Sequence, residues 1–476
     1  MGLVPLERLD LRKCDSVGDI VKAMSKCSFG ARMLGEVCLK VFDWVQRGKH
    51  IRIVYDGEKL LDIFDRMKNN RWIEEVIHSD QVENLSGWHT HKTIVVGRYS
   101  EAADKHINKL GDAVFINKEE LCRPGQIKDG YFPDVVFAEP TFVIPILYCA
   151  LDNWLEDRRH SIEALFTELE KDQFGHTVVS GGLTLEKMVK DPDCSVFLTL
   201  SGAMTIAKMG LVICDMVDLD MIQLISSTGA LMAHGLIESV GLQHFKHNPA
   251  HDDQFLAQQK LNRVTDTLEP EKNFTHIEKI VNEILWSFES GEIIGPSVFH
   301  RRVGEYLARE FTTERGVLKS AFEKNVPVLC PAFVDSEIGN DLFAHNQRRM
   351  QIGQKRLIVD PELDSEVLIR MMIQTSKVGI FSVGGGVPRN NTQNVAPLIE
   401  ITNERLSYNW PEKMYLYGCR IAPDAMHYGH LSGCTYSENA SWRKMDTKLG
   451  TFAEIRGDAT QIWPFLVKYV MDSKNF

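Results

Sequence analysis

From about Gly181 onward, apolar β-rich runs recur, and each stops at small or acidic residues before a helical pattern begins. Ser195–Leu200 precedes Ser201-Gly202-Ala203, and Ile222–Ile225 precedes Ser226-Ser227-Thr228-Gly229. Val326–Cys330 leads into a turn at 332–335, and Val378–Val383 into Gly384-Gly385-Gly386. Met414–Tyr417 and a run ending at Asp458-Ala459-Thr460 complete the series. Continuous apolar runs mark strands buried on both faces, and their alternation with helices predicts a mostly parallel, doubly wound α/β sheet. Helices then cover both faces in a Rossmann-like arrangement. Ligands of such sheets bind beyond the carboxyl ends of the strands, where these turns fall.

Ahead of that region, Val17 to Val45 carries apolar residues at helical spacing, with Gly30 as a candidate break. Residues 48–176 have another texture. Ile51–Tyr55, Thr93–Val96 and Val135–Ala138 read as short strands, and Leu60–Asn69 and Ala102–Leu110 as helices. A long amphipathic pattern spans Ile144–Leu169. These features predict a small α/β insert without a catalytic motif. The expected division is 1–47, a helical segment, then the insert at 48–176, then 177–476, the ligand-binding domain.

The formal net charge of −11 argues against nucleic acid, whose phosphates need a basic surface, and suits a cationic substrate. Ten cysteines include no C-x-x-C pair, which predicts reduced thiols of a cytoplasmic protein. Met1 to Cys14 has no apolar signal core, and no run approaches ~18 apolar residues, so no membrane span is expected.

Three clusters could carry chemistry. The turns Ser226–Gly229 and Gly384–Gly386 allow the close backbone approach a pyrophosphate needs. G-x-G-x-x-G is absent, however, and either turn also suits tight packing. Ser437-Glu438-Asn439-Ala440-Ser441-Trp442-Arg443-Lys444 joins a carboxylate, an indole and an amine. A lysine whose pKa is lowered by burial or a nearby cation forms imines with carbonyl carbons, and an indole can hold an alkylammonium. The same composition also describes a solvated loop around a buried Trp. Asp335, Glu337 and Asp341 follow a predicted buried strand. They suit ribose hydroxyls or amines, and equally an acid-rich helix N-terminus. Trp88-His89-Thr90-His91 and the histidines from His244 to His251 read as surface residues, and no metal is expected. Lys105 and Lys109 read as solvated surface.

At these motifs the chain resembles the deoxyhypusine synthase family, over roughly residues 10–46 and 177–470. Phe29-Gly30-Ala31 looks like the family's N-terminal helix, and Lys246-His247-Asn248-Pro249 through Leu261-Asn262-Arg263 like its middle. The most specific matches are Val326-Pro327-Val328 with Pro331-Ala332 and Asp335, the Gly384–Gly386 triplet, and Glu438 with Ser441-Trp442-Arg443-Lys444. The resemblance implies a tetramer binding NAD and spermidine, with transfer of an aminobutyl group through a lysine imine to the hypusine-carrying translation factor. By the same resemblance, Lys444 is the imine-forming lysine and Trp442 and Glu438 contact the polyamine. Ser227, Thr228, Gly229, Asp335, Gly384, Gly385, Ser432, Asp458 and Ala459 then contact NAD.

Three positions depart from the family's eukaryotic pattern. Asn390 stands for a histidine after the glycine triplet. Asn340, with Asp341 beside it, stands for an aspartate. Leu431, preceded by His430, stands for an aspartate before Ser432-Gly433. A buried ammonium without its carboxylate costs on the order of a few kcal/mol, so Glu337 and Asp341 substitute or the substrate differs. The variant Gly386-Val387-Pro388-Arg389-Asn390 resembles a divergent, bacterial-type branch. Two alternatives therefore stand beside the synthase. One is transfer to a small amine, as in homospermidine synthesis. The other is a non-catalytic subunit regulating an active partner in a mixed tetramer.

Overall fold

A computed structural model describes residues 2–57, 59–84, 90–97, 112–117 and 134–474. Its larger sheet has six parallel strands in the spatial order Val328–Leu329, Leu224–Ser227, Cys194–Leu200, Lys377–Val383, Tyr417–Ile421 and Thr451–Ile455. Numbered along the chain, this order is 3-2-1-4-5-6, the doubly wound arrangement whose strand order reverses between its first and fourth strands. Those two strands pair continuously from Lys377↔Cys194 to Val383↔Leu200.

Alternate side chains of the central strands enter different cores. Val196, Leu198 and Leu200 join Phe381 and Val383 in the main cluster. Phe197 and Ile380 pack instead with Leu368, Met372, Val395 and Ile399 from helices Glu362–Gln374 and Val395–Leu406. Burial on both faces explains why the strands read as unbroken apolar runs. The predicted Met414–Tyr417 strand is displaced: the strand is Tyr417–Ile421 and runs through Arg420, which pairs with Glu454 across the strands at 2.9 Å. The strand after Val326 pairs over Val328–Leu329 alone, at the sheet's edge.

Residues 51–137 contribute a second, five-stranded parallel sheet in the order Glu75–His78, Ile51–Tyr55, Lys92–Val96, Asp112–Asn117 and Val135–Phe137. Its chain order, 2-1-3-4-5, is also doubly wound, of the flavodoxin-like type. The predicted helix at Ala102–Leu110, with Lys105 and Lys109, lies outside the described residues, as do Trp88 and His89. Apolar residues of this sheet, including Ile53, Ile94, Val114 and Val136, belong to the same core cluster as the larger sheet.

Two long helical patterns divide. Ile144–Leu169 becomes Pro140–Glu156 and Ile162–Leu169, because Asp157 turns left-handed at φ 52° and Ser161 caps the second helix. Val17–Met24 and Phe29–Gln46 separate just ahead of Gly30. The Asp266 carboxylate accepts the Phe29 N–H at 3.0 Å and pairs with buried Arg32 at 2.9 Å, which holds the second helix's start. Gly30 is needed there, since a Cβ would collide with the Asp458 carboxylate.

Candidate active site

The two central strands end at Leu200 and Val383, and the chain turns away in opposite directions beyond them, opening a crevice at the strand-order reversal. Gly384 follows at φ +81°, a backbone conformation that side chains disfavour. Its amide donates to Ile421 O at 2.8 Å, and the Ser201 hydroxyl donates to Gly385 O. Ser432 packs onto Gly385 so closely that a Cβ there would lie 2.7 Å from the Ser432 Cβ. Ser432 is held in turn by its loop, whose Cys434 carbonyl accepts from both Arg389 and Arg420.

A cavity of about 950 Å³ opens from this point across the last two strands. That volume lies in the upper part of the ~300–1,000 Å³ range of small-molecule clefts. Gly384, Asp458 and Ala459 line it on the sheet side, and Phe137, Glu139 and Phe142 close the other. The second sheet thus supplies a wall of the cavity that its sequence motifs did not announce.

Across the crevice, Ser227 is the buried last residue of its strand rather than a turn residue. Thr228 caps helix Gly229–Ser239, accepting from Leu231 N, and its hydroxyl reaches Gly202 O at 3.3 Å. A Cβ on Gly229 would lie 2.8 Å from Ser336, which brings this turn against exposed Asp335. Small residues at strand ends and a helix N-terminus make a cradle suited to a pyrophosphate.

Lys444 belongs to a second group. Its backbone lies between Asn439 and Tyr415: the Lys444 N–H donates to Asn439 O at 3.2 Å, and its carbonyl accepts from Tyr415 N at 3.0 Å. Tyr415 is buried, and its hydroxyl donates to Thr392 O of helix Gly386–Gln393 at 2.8 Å. This frame sets the buried Lys444 amine against that helix, where Nζ donates to Asn390 Oδ1 at 2.9 Å. The Trp442 ring centroid lies 5.8 Å from Nζ. Burial holds the amine below its ordinary value, and the Arg389 guanidinium adds to the shift. Arg443 takes φ 55° and its guanidinium pairs with Glu400, so the cation acting on Lys444 is Arg389. Trp442 is 64% exposed, which excludes a loop folded around a buried Trp.

Glu438 is exposed on the short helix Tyr436–Ala440, with Cys434 as its neighbour. Glu337 and Asp341 lie on helix Glu337–Gln351, where their neighbours are His234, Glu278 and Arg348 rather than Lys444. Burial first, then Glu278, pushes the Asp341 carboxyl up to about 7. The structure therefore joins Lys444, Asn390 and Trp442, and keeps Glu337 and Asp341 apart from them within one chain.

The histidines expected at the surface divide. His91 is partly buried, but His244 is fully buried and His247 5% exposed, so the surface assignment fails for both. Their polar environment comes from residues distant in sequence, including Glu238 and Glu269 for His244. Nine cysteines are described, all unpaired and all buried or partly buried. No helix among the described residues is long and apolar enough to cross a membrane.

Residues 173–470 match the family model described as deoxyhypusine synthase. A deoxyhypusine synthase-like protein of Chlorobaculum tepidum is 29% identical over 323 residues, covering 67% of this chain and 88% of its own. An Archaeoglobus fulgidus protein named "Probable deoxyhypusine synthase 1" is 31% identical over 309 residues, covering 63% of this chain and 92% of its own. A crystal structure of a deoxyhypusine synthase candidate from Entamoeba histolytica aligns with a TM-score of 0.41 at 14% identity, covering 64% of this chain and 91% of that one.

Proposed function

Since the chain belongs to the deoxyhypusine synthase family, we propose that it transfers the aminobutyl group of spermidine through an imine on Lys444 to a lysine of the hypusine-carrying translation factor. The observation that carries this reading is the buried Lys444 amine, held below its ordinary pKa beside Asn390 and Trp442. A lysine whose pKa is lowered gives up its proton more readily, and the free amine is the form that attacks an electrophilic carbon.

The crevice suits NAD: the strand order, the glycine-lined strand ends and the 950 Å³ cavity are matched to a dinucleotide. NAD would supply a hydride acceptor for the amine carbon and later return the hydride to the product imine. Gly384, Gly385, Ser432, Ser227, Thr228 and Gly229 would approach its phosphates, and Asp335, Asp458 and Ala459 its sugars. Lys444 would displace the diaminopropane portion of the oxidised polyamine and hold the four-carbon piece as an imine. Burial keeps water from hydrolysing that imine. Trp442 would pack on the polyamine's chain, and Glu438, Glu337 and Asp341 would take its ammonium groups, with Asn390 orienting Lys444.

Exposed Val334, Val387, Leu431 and Trp442 surround these elements. Apolar side chains so placed support a tetramer, homomeric or mixed, in which Glu337 and Asp341 of one subunit complete the Lys444 site of another. The division into 1–47, 48–176 and 177–476 and a cytoplasmic location belong to the same proposal.

A second reading keeps the imine and changes the acceptor to a small amine, as in homospermidine synthesis. It is favoured by Asn390 on Lys444 and by Leu431, exposed at φ 63° where the family resemblance places an aspartate. The test is Lys444→Ala, which should abolish transfer while NAD binding survives. Retained transferase activity would remove Lys444 from the chemistry.

A further inference from the structure

Close to the turn that carries Thr228 and Gly229, three buried side chains aim polar atoms at one another. His234 comes from the second turn of helix Gly229–Ser239, His244 from the loop before Phe245–Lys246, and Glu269 from strand Thr267–Pro270. They are 7%, 0% and 1% exposed. His234 Nδ1, His244 Nε2 and Glu269 Oε2 meet only one another and have no hydrogen-bond partner outside the trio. One ligand atom from each residue lies within 4.8 Å of the other two. His234 Nδ1 is 3.8 Å from Glu269 Oε2, and His244 Nε2 is in contact with the same oxygen. One carboxylate oxygen serves two buried imidazoles here, and an ion bound between them would satisfy all three converging atoms.

Carboxylates lie behind both imidazoles. A ligating imidazole keeps its second nitrogen as a donor to an acceptor that fixes the ring. His234 Nε2 faces Glu337 Oε1 at 3.7 Å, and His244 Nδ1 faces Glu238 Oε1 at 3.6 Å. The other oxygen of Glu269 accepts from Asn273 Nδ2 at 2.7 Å. Charge points the same way. Against the three carboxylates Glu238, Glu269 and Glu337 stands the Lys208 ammonium, which bonds Glu238 at 2.5 Å and lies 2.8 Å from His244 Nδ1. A divalent cation would cancel the remaining two negative charges. In the structure His244 Nδ1 accepts from Lys208, and a metal on Nε2 would make Nδ1 a donor instead. With the ring neutral, its proton turns to Glu238, and Lys208 then keeps Glu238 alone.

We propose that His234, His244 and Glu269 form a buried site for a divalent metal of zinc type, with Glu337 and Glu238 as the acceptors behind its two histidines. Two imidazoles and a carboxylate are a zinc ligand set with a fourth position open. Bound there, the ion would tie helix Gly229–Ser239 to strand Thr267–Pro270 and so fix the Ser227–Gly229 turn above it. The site stands whether or not NAD and polyamine are the ligands of the crevice.

The experiment strips the full chain with dipicolinate, reloads it with zinc chloride, desalts it and counts metal by mass spectrometry. The parent should retain one zinc per chain, and His234→Ala and Glu269→Gln should retain none. Glu337→Gln, remote from direct ligation, should weaken zinc roughly 10–100-fold. Circular dichroism separates lost metal from lost fold. Should the ligand variants not fold, the parent reloaded with cobalt decides: visible d–d bands without a thiolate charge-transfer band support the site. No stoichiometric zinc, zinc unchanged in folded Glu269→Gln, or a thiolate band pointing to cysteines would each overturn it.

Discussion

Asn390→Leu removes the oxygen that accepts from Lys444 Nζ at 2.9 Å. That bond favours the ammonium over the free amine, and hydrogen bonds to charged groups are worth about 1.5–3 kcal/mol. At 1.36 kcal/mol per factor of ten, its loss shifts the balance toward the free amine by roughly ten- to a hundredfold. Asn390 is itself exposed, so water replaces part of the bond and the lower end applies. The parent amine already lies below its ordinary 10.5 through burial and Arg389, and the variant should lie lower still. The assay is competitive labelling with an amine-selective anhydride across a pH series, with the Lys444 peptide followed by mass spectrometry. At a fixed pH below both midpoints, the larger amine fraction should make labelling about tenfold faster in the variant. An unchanged midpoint, or one moved upward, would refute Asn390 as the group that steadies the ammonium.

Three other outcomes are expected. Gly385→Ala places a Cβ 2.7 Å from the Ser432 Cβ, inside a clamp of backbone; overpacking of about 1–3 kcal/mol should weaken NAD roughly five- to a hundredfold in a fluorescence titration, and an unchanged Kd would place the dinucleotide elsewhere. Asp341, held up to about 7, keeps its proton more tightly in the folded state than in the unfolded chain, so its contribution to stability is full at low pH and is lost as pH rises through about 7. Asp341→Asn should accordingly melt above the parent on the alkaline side and with it at pH below about 4, while parent polyamine affinity should rise through the same window; flat profiles would dismiss both. Glu438→Gln should weaken polyamine binding in calorimetry with NAD affinity unchanged, and an equal loss of both would make its role structural.

The sheet was legible because burial on both faces writes itself as apolar runs, and the cavity-lined strand ends because small or acidic residues follow Leu200, Val383 and Ile455. Arg420 hid one strand: a cation inside an apolar run reads as a strand end unless its partner, Glu454, is known. Glu75–His78 and Asp112–Asn117 were missed for similar reasons, the first being short and only half-buried, the second opening on Asp112 and closing on Asn117. Burial of His244 could not be read locally, since Lys208, Glu238 and Glu269 reach it through the fold. The pairing of Lys444 with Asn390 joins positions 54 residues apart, and Phe137 and Glu139 face the crevice only because the second sheet packs against the first.

The imine on Lys444 is tested most directly by trapping it. The purified protein would be incubated with NAD and labelled spermidine, reduced with borohydride, digested and mapped by mass spectrometry. The account predicts a butylamine-sized adduct on Lys444, absent in Lys444→Ala and absent without NAD. No adduct on Lys444 in protein shown to bind both NAD and spermidine, or an adduct on another lysine, would contradict it.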